Sequence, residues 1–231
     1  MSFDTILVVA AHPDDEVLGC GGAITKHTQN GDQVHILILA EGLTSRNLER
    51  DRKLVASELS ALETAAHQAS KILGVNSLSL HDFPDNRMDS CDLLDIIKII
   101  EQAIDQYQPQ IVYTHHVGDV NIDHQLIHKA TVTACRPVPN RSIQTLLFFE
   151  VPSSTEWQTT GSASPFIPNW FVDISETLEC KLNALEVYES EMRAYPHPRS
   201  VEAVEHLARW RGATIGVKAA EAFMLGRHLV S

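Results

Sequence analysis

The sequence predicts an α/β protein with a doubly wound, mainly parallel sheet, helices on both faces, and a C-terminal helical elaboration. Strand-like and helix-like segments alternate through the first two-thirds of the 231 residues, which is the pattern of repeated β-α-β units. The first such segment, TILVVAA, is apolar throughout, as a strand buried on both faces should be. The alternation stops after Pro152, so the C-terminal part has a different organisation.

Five strands and four helices are predicted before Pro152. The strands cover 5–11, 32–42, 75–84, 109–116 and 142–151. The helices cover 15–31, 48–73, 90–107 and 123–135. The first helix ends at Asn30-Gly31, a common C-terminal stop. The third is amphipathic because apolar residues recur on one face at helical spacing, namely Leu94, Ile97, Ile100 and Ile104. Together these elements predict a Rossmann-like sheet.

The C-terminal part begins with a polar loop rich in Ser, Thr and Pro. WFVDIS, at 170–175, is predicted as an extra strand, and two helices follow at roughly 175–193 and 200–225. The segment YPHPRS separates these helices. Because the chain has no internal repeat and no clear linker, we expect one domain over 1–231, with a core at 1–150 and an elaboration at 151–231.

Composition limits the classes of partner. The formal net charge is −12 and aromatic residues make up 6% of the chain, which argues against nucleic acid because phosphate backbones require a basic face. We see no secretory signal and no apolar run of the ~20 residues that a membrane span needs. The four cysteines are scattered without a CxxC pair. A cytoplasmic protein that binds a small molecule or a metal is therefore expected.

Two clusters of metal-binding residue types follow predicted strands. His12 and Asp15 come just after the first strand, three residues apart, so a helical turn would point both the same way. A third ligand is sought in THHVGDVNIDHQ after the fourth strand, which offers His115, His116, Asp119, Asp123 and His124. In the common strand order 3-2-1-4 the first and fourth strands are neighbours, and ligands bind at their carboxyl ends. The two clusters should therefore meet.

Two histidines and one carboxylate are typical of catalytic zinc with one coordination position left open for water. Zinc lowers the pKa of such a water to about 7. Asp14 directly precedes one predicted ligand and is a candidate for the general base. Another divalent transition metal would also suit this set of ligands.

The two motifs resemble a known family. AHPDDEVLGCGG after the first strand and the later DxxxDH at 119–124 are similar to zinc-dependent deacetylases related to LmbE and to the PIG-L enzyme that deacetylates N-acetylglucosaminyl-phosphatidylinositol. The resemblance implies that His12, Asp15 and His124 bind zinc and that Asp14 is the general base. It also implies an N-deacetylase that releases acetate from an N-acetylglucosamine-type amino sugar or its conjugate, in a chain that forms a trimer or hexamer.

One position departs from the pattern of that family. Many members carry a histidine three residues before the last ligand, and Asn121 stands there in this chain, with Asp123 in the orienting place. Asparagine can donate a hydrogen bond to an oxyanion but cannot supply a proton to the leaving amine. That proton would then come from Asp14 or from another histidine; the candidates are His115, His116 and His197.

Substrate recognition is expected from polar residues in two loops. Asp85 and Arg87 follow the third strand, although Arg87 would equally pair with a neighbouring aspartate. His197 and Arg199 lie in YPHPRS, which either closes the site or only connects two helices, and His116 is a further candidate. Rival readings are a zinc amidase or esterase acting on a non-sugar, and a metal-binding protein with little hydrolytic activity. The sequence leaves the acetylated substrate and its aglycone open.

Overall fold

A computed structural model of the chain describes residues 3–139 and 141–230. Its strands are β1 Thr5–Ala10, β2 Gln33–Ala40, β3 Ser77–Phe83, β4 Ile111–His115, β5 Thr145–Phe149, β6 Trp170–Asp173 and β7 Ala220–His228. Its helices are α1 Asp15–Gln29, α2 Ala56–Ile72, α3 Leu93–Tyr107, α4 Ile122–Ala134, α5 Leu178–Glu186 and α6 Val201–Ala213. Two short 3₁₀ turns lie at Thr44–Arg46 and Met88–Ser90.

All seven strands form one sheet in the order β3-β2-β1-β4-β5-β7-β6. Strands β1 to β5 run parallel to one another, whereas β7 pairs antiparallel with both β5 and β6. The predicted fold class and the predicted order 3-2-1-4 are confirmed. The chain order reverses between β1 and β4, so the crevice at their carboxyl ends is the expected place for a site.

The sheet is covered on both faces because successive residues of a buried strand point to opposite sides. Ile6 and Val8 face a core shared with α1, α2, α5 and α6. Leu7 and Val9 face a second core shared with α3 and α4. The inward stripe of α3 includes Ile96, Ile97, Ile100 and Ile104. Leu94, which was predicted on that stripe, is 60% exposed.

The C-terminal part differs from its predicted helices. Helix α6 ends at Ala213, and residues predicted to continue it form β7 instead. Gly216 has a φ of +82°, a conformation that a helix cannot include. Phe223 on β7 is fully buried and pairs with Phe149 and Trp170. The C-terminal elaboration therefore adds two strands to the sheet in addition to its helices.

The second predicted helix also begins later than expected, because α2 starts at Ala56 rather than near residue 48. Residues 47–54 are exposed and irregular. Two arginines of this segment, Arg50 and Arg52, pair with the buried carboxylate of Glu41. Within residues 3–139 and 141–230, no helix has the length and apolar character that crossing a membrane would need.

Helix α1 is kinked at Cys20, whose φ and ψ are −149° and 23°. The Glu221 carboxylate on β7 accepts the N–H groups of Gly22 and Ala23 at 2.9 and 2.7 Å. Lys181 on α5 donates its ammonium to the Leu18 carbonyl at 2.8 Å and to Glu221 at 2.6 Å. A buried ion pair thus satisfies the backbone groups that the kink frees, because helix kinks arise where a side chain enters the hydrogen-bond ladder.

Candidate metal centre

The two predicted clusters meet at the carboxyl edge of the sheet. His12 and Asp15 lie where β1 turns into α1, and His124 lies in the first turn of α4, just beyond β4. One ligand atom from each of these three residues lies within 4.8 Å of the others. The Asp15 Oδ2 atom is 3.2 Å from His12 Nδ1 and 3.1 Å from His124 Nε2. His124, which is more than a hundred positions from His12 and Asp15 along the sequence, therefore shares one small polar centre with them.

The turn that carries Asp14 is held by buried groups. Asp14 has a φ of 114°, which is unusual for a residue other than glycine. Its N–H donates to the Glu16 carboxylate at 3.0 Å, and the Tyr188 hydroxyl donates to the other Glu16 oxygen at 2.6 Å. Burial raises the pKa of Glu16 to about 7, against the lowering effect of these hydrogen bonds. Glu16 and Tyr188 were not predicted as site residues.

Each histidine of the centre contacts a further carboxylate through its other ring nitrogen. Asp123 Oδ2 lies 3.0 Å from His12 Nε2, and Asp119 Oδ2 lies 3.1 Å from His124 Nδ1. These contacts leave His12 Nδ1 and His124 Nε2 facing Asp15. Histidines that bind metals usually donate their second ring N–H to a carboxylate or carbonyl, which fixes the tautomer and the orientation of the ring. Both imidazoles have this arrangement.

Asp119 is itself held by three donors. Thr155 donates its hydroxyl to Asp119 Oδ2 at 2.7 Å, the backbone N–H of Asn121 donates to Oδ1 at 2.9 Å, and Ser154 donates its hydroxyl to Oδ1. Burial alone would raise the pKa of Asp119, but His124 and these hydrogen bonds lower it to about 2. Burial would likewise lower the pKa of His124, but Asp15 and Asp119 raise it to about 9.

The residues of this centre fit a divalent cation. Asp15 Oδ1 and His124 Nε2 are buried and have no hydrogen-bond partner among the residues described. His124 Nε2 lies close to Asp15 Oδ2 without the alignment of a hydrogen bond. Buried polar atoms are rarely left unsatisfied, because each costs about 1–3 kcal/mol. Imidazole nitrogens and a carboxylate oxygen are the donors that zinc prefers, so an ion would satisfy both atoms.

A second group of close ligand atoms consists of His12, Asp85 and Asp123. It fits a metal less well because the oxygens of both aspartates already accept hydrogen bonds. The donors include three backbone N–H groups, those of Ser45, Asn86 and Met88. Asp123 therefore ties the loop after β3 to α4 and to His12.

A polar cavity of about 200 Å³ opens beside the centre and is lined by His12 and Asp14. Neither carboxylate oxygen of Asp14 has a hydrogen-bond partner among the residues described. Its ion-pair partner is Arg199, whose Nη1 atom is 3.1 Å from Asp14 Oδ2. Burial raises the pKa of Asp14 well above its ordinary value, against the lowering effect of Arg199. This carboxylate is positioned to exchange a proton with a molecule in the cavity.

The structure brings some of the predicted substrate residues to this cavity and leaves others away from it. Asp85, Asn121 and Arg199 line the cavity, and His197 lines an adjoining one. Arg87 instead donates its guanidinium to the Leu48 carbonyl at 2.8 Å. The His116 ring is buried, with Nε2 2.8 Å from the Ser164 carbonyl oxygen. Neither of these two side chains is among the residues that line the two cavities.

Asn121 serves as the N-cap of α4. Its side-chain oxygen accepts the N–H groups of Asp123 and His124, and its amide nitrogen donates to Asn86 at 2.9 Å. The Asp123 carboxylate, which was expected to orient residue 121, contacts His12 and the loop after β3 instead. An oxyanion role for Asn121 stays a prediction; its side-chain NH2 group has two N–H donors, of which the bond to Asn86 uses one.

Taken together, a doubly wound sheet with a histidine–carboxylate centre beside a buried carboxylate that accepts no hydrogen bond from the described residues defines a candidate site for metal-assisted hydrolysis. Comparison with known proteins agrees with this class. The family model described as PIG-L, GlcNAc-PI de-N-acetylase, matches residues 7–135, which is more than half of the chain. The chain belongs to the PIG-L family, as its motifs predicted.

Individual relatives extend the likeness beyond the motifs. The chain is 32% identical over 191 residues to the Escherichia coli protein named uncharacterized deacetylase YaiS, covering 80% of this chain and 90% of that protein. It is 29% identical over 192 residues to diacetylchitobiose deacetylase of Thermococcus kodakarensis, covering 80% and 69% respectively. These two relatives carry deacetylase names.

The fold itself is shared with a protein of another activity. The crystal structure of GalB, the 4-carboxy-2-hydroxymuconate hydratase of Pseudomonas putida KT2440, matches with a TM-score of 0.77 and 23% sequence identity. The match covers 99% of this chain and 98% of GalB. Because one fold carries different reactions, the activity of this chain must be argued from its site.

Proposed function

We propose that this protein is a zinc-dependent N-deacetylase that removes acetate from an N-acetylglucosamine-type amino sugar or its conjugate. His12, Asp15 and His124 would hold the ion. The observation that carries the proposal is the convergence of two imidazole nitrogens on Asp15 beside a cavity lined by Asp14, whose buried carboxylate is paired with Arg199 but accepts no hydrogen bond from the described residues. The deacetylase names of the two relatives support the reaction class.

A zinc ion bound there would supply Lewis acidity and bring the pKa of a water ligand to about 7. Asp14 is proposed as the general base that accepts a proton from the attacking water. Its burial and its lack of hydrogen bonds favour this role because both raise its proton affinity. Arg199, whose Nη1 atom is 3.1 Å from Asp14 Oδ2, would orient the carboxylate.

The leaving nitrogen must receive a proton, and only residues that line the cavity are close enough to supply it. His12, a proposed metal ligand, is the only histidine among the described residues that line the 200 Å³ cavity. His197 lies in the adjoining cavity, and the buried rings of His115 and His116 are outside both linings. We therefore propose that Asp14 passes the proton it accepted to the nitrogen.

Sugar recognition is proposed for Asp85, which lines the cavity and accepts the N–H of Ser45 at 3.0 Å. Carboxylates are suited to hydroxyl groups because they accept from several donors at once. Arg87 and His116 line neither cavity, so contacts of these side chains with a substrate held there would require both of them to move.

Acetate release from N-acetylglucosamine derivatives tests the proposal. Metal is removed with a chelator, and zinc is then restored. We expect activity to fall with the chelator and return with zinc. Asp14→Asn should retain zinc and lose about 100-fold or more of turnover, within the usual range for a general base. Asp95→Asn, an exposed change on α3, is the matched control. Zinc-loaded protein that releases no acetate from any derivative would contradict the proposal.

The same panel separates two alternatives. Hydrolysis of non-sugar amides or esters without hydrolysis of amino sugars would favour a zinc amidase or esterase. Zinc binding without any hydrolysis would favour a metal-binding protein. Location in the cytoplasm and assembly into a trimer or hexamer stay predictions, and light scattering of purified protein tests the assembly.

A further inference from the structure

We propose that a second cavity next to the first binds a negatively charged oxyacid group, a carboxylate or a phosphate, carried by the substrate on its aglycone. This inference rests on the proposed function and adds the substrate class to it. The second cavity has a volume of about 250 Å³. Three residues line both cavities, namely Arg46, Glu191 and Arg199.

The two cavities form one extended site. Pockets for small molecules usually measure about 300–1,000 Å³, and each cavity alone is smaller than that. The first contains the proposed reacting groups His12 and Asp14. A molecule whose acetamido group reaches Asp14 and which continues past Arg199 would occupy both. The second cavity would then hold the part of the substrate that is not an N-acetyl sugar.

The charge around the second cavity is positive. Three arginines line it, namely Arg46, Arg193 and Arg199, together with one acidic residue, Glu191. Arg46 donates twice to Glu191, at 2.9 and 2.7 Å, and Arg199 lies 3.9 Å from Glu191 and 3.1 Å from Asp14, so the three arginines meet two carboxylates. In a chain with a net charge of −12, this local excess of positive charge favours an anionic ligand.

Arg193 is the arginine of this cavity whose guanidinium has no carboxylate partner among the described residues. Its guanidinium donates only to backbone carbonyls, those of Ser190 at 2.7 Å and Met192 at 2.9 Å. Among the described residues, no carboxylate forms an ion pair with it; Glu191 pairs with Arg46 and Arg199 instead. Both contacts use Nη1. A guanidinium presents five donors in a fork that matches carboxylate and phosphate oxygens, so Arg193 can bind an oxyacid without giving up another partner.

The lining of the second cavity also includes an aromatic residue. Trp157 lines the cavity and is 52% exposed, and its ring meets the edge of His197 with centroids 5.6 Å apart. An exposed indole offers an apolar face for the carbon skeleton between the sugar and the anion. The subsite therefore combines cationic groups with an aromatic ring.

The test compares N-acetylglucosaminides of matched size whose aglycones end in a carboxylate or in its primary amide, with N-acetylglucosamine 1-phosphate as a third substrate. We expect kcat/KM to be at least about tenfold higher for the carboxylate than for the amide, a ratio that corresponds to about 1.4 kcal/mol. In Arg193→Gln this ratio should approach one, and Arg193→Lys should keep part of it. Arg209→Gln, which removes an exposed arginine on α6, should leave the ratio unchanged.

Each result decides the proposal. A higher kcat/KM for the phosphate than for the carboxylate supports the subsite and identifies phosphate as its ligand. A wild-type ratio within twofold of one, or a ratio that Arg193→Gln leaves unchanged, overturns the subsite while the deacetylase proposal stands. If no compound releases acetate, the deacetylase proposal fails. The subsite is then tested separately by calorimetry, which measures the binding of the carboxylate compound and of the amide compound. Tenfold tighter binding of the carboxylate that Arg193→Gln removes supports the subsite, and equal binding overturns it.

Discussion

Removing the Glu221 carboxylate should destabilise the protein severely. Glu221 and Lys181 are paired at 2.6 Å, and each side chain is 4% exposed. In Glu221→Ala the ammonium of Lys181 stays buried without its partner, which costs about 3–5 kcal/mol. The N–H groups of Gly22 and Ala23 lose their acceptor as well, and a buried unsatisfied donor costs about 1–3 kcal/mol. We expect a loss of at least about 3 kcal/mol, a large fraction of a typical stability of about 5–15 kcal/mol.

Urea unfolding followed by circular dichroism measures this loss. With a slope of about 1–3 kcal/mol per molar urea, the midpoint should fall by one molar or more. Glu205→Ala is the matched control, because it breaks an exposed pair with Arg209 at 2.6 Å on α6 and should cost about 0.5 kcal/mol or less. Combining Lys181→Met with Glu221→Gln should recover much of the loss, since no charge is left buried.

A Glu221→Ala protein within about 1 kcal/mol of the wild type would refute the reasoning. It would mean that the buried pair is not what stabilises the kink in α1. The outcome also matters for the site, because the first turn of α1 carries Asp15.

Three further changes test other parts of the structure. Asp119→Ala should weaken zinc binding about 10–100-fold because it removes the carboxylate behind His124, and unchanged affinity in competition with a chromophoric chelator would contradict this. Gly19→Ala should cost about 1–3 kcal/mol in urea unfolding, since a Cβ there would lie 2.4 Å from the buried Phe149 ring; a variant as stable as wild type would show that the ring moves aside. Burial raises the pKa of Cys135 to about 12 and that of Cys20 well above its ordinary value, so both thiols stay protonated at pH 8. Ellman's reagent should then detect at most two fast thiols in the native protein, and rapid reaction of three or four would contradict the burial; the two expected to react are Cys91 and Cys180.

The central sheet could be predicted because its signals are local. TILVVAA is apolar throughout, and its residues are buried on both sides of the sheet. Strand β7 carried no comparable signal. Its apolar residues Ala222, Phe223 and Leu225 follow a helix closely, and only long-range pairing with β5 and β6 shows that they form a strand. Pairing of this kind depends on tertiary context, which overrides local propensity.

The centre could be predicted because His12 and His124 follow neighbouring strands. The residues that line the cavities could not be predicted, since Arg46 and Glu191 meet only when the C-terminal part packs over the carboxyl edge of the sheet. Arg87 shows how a wrong prediction for one segment affects the prediction for a residue elsewhere. The sequence predicted a helix from residue 48, but that segment is irregular, and the Leu48 carbonyl is free to accept the guanidinium of Arg87.

Anomalous scattering at the zinc edge, from crystals of the zinc-loaded protein, tests the central claim most directly. We predict one ion bonded to an imidazole nitrogen of His12, an imidazole nitrogen of His124 and a carboxylate oxygen of Asp15, with zinc–nitrogen distances of about 2.0–2.1 Å. An ion bound between Asp85 and Asp123 without His124, or no ion at this edge of the sheet, would contradict the account.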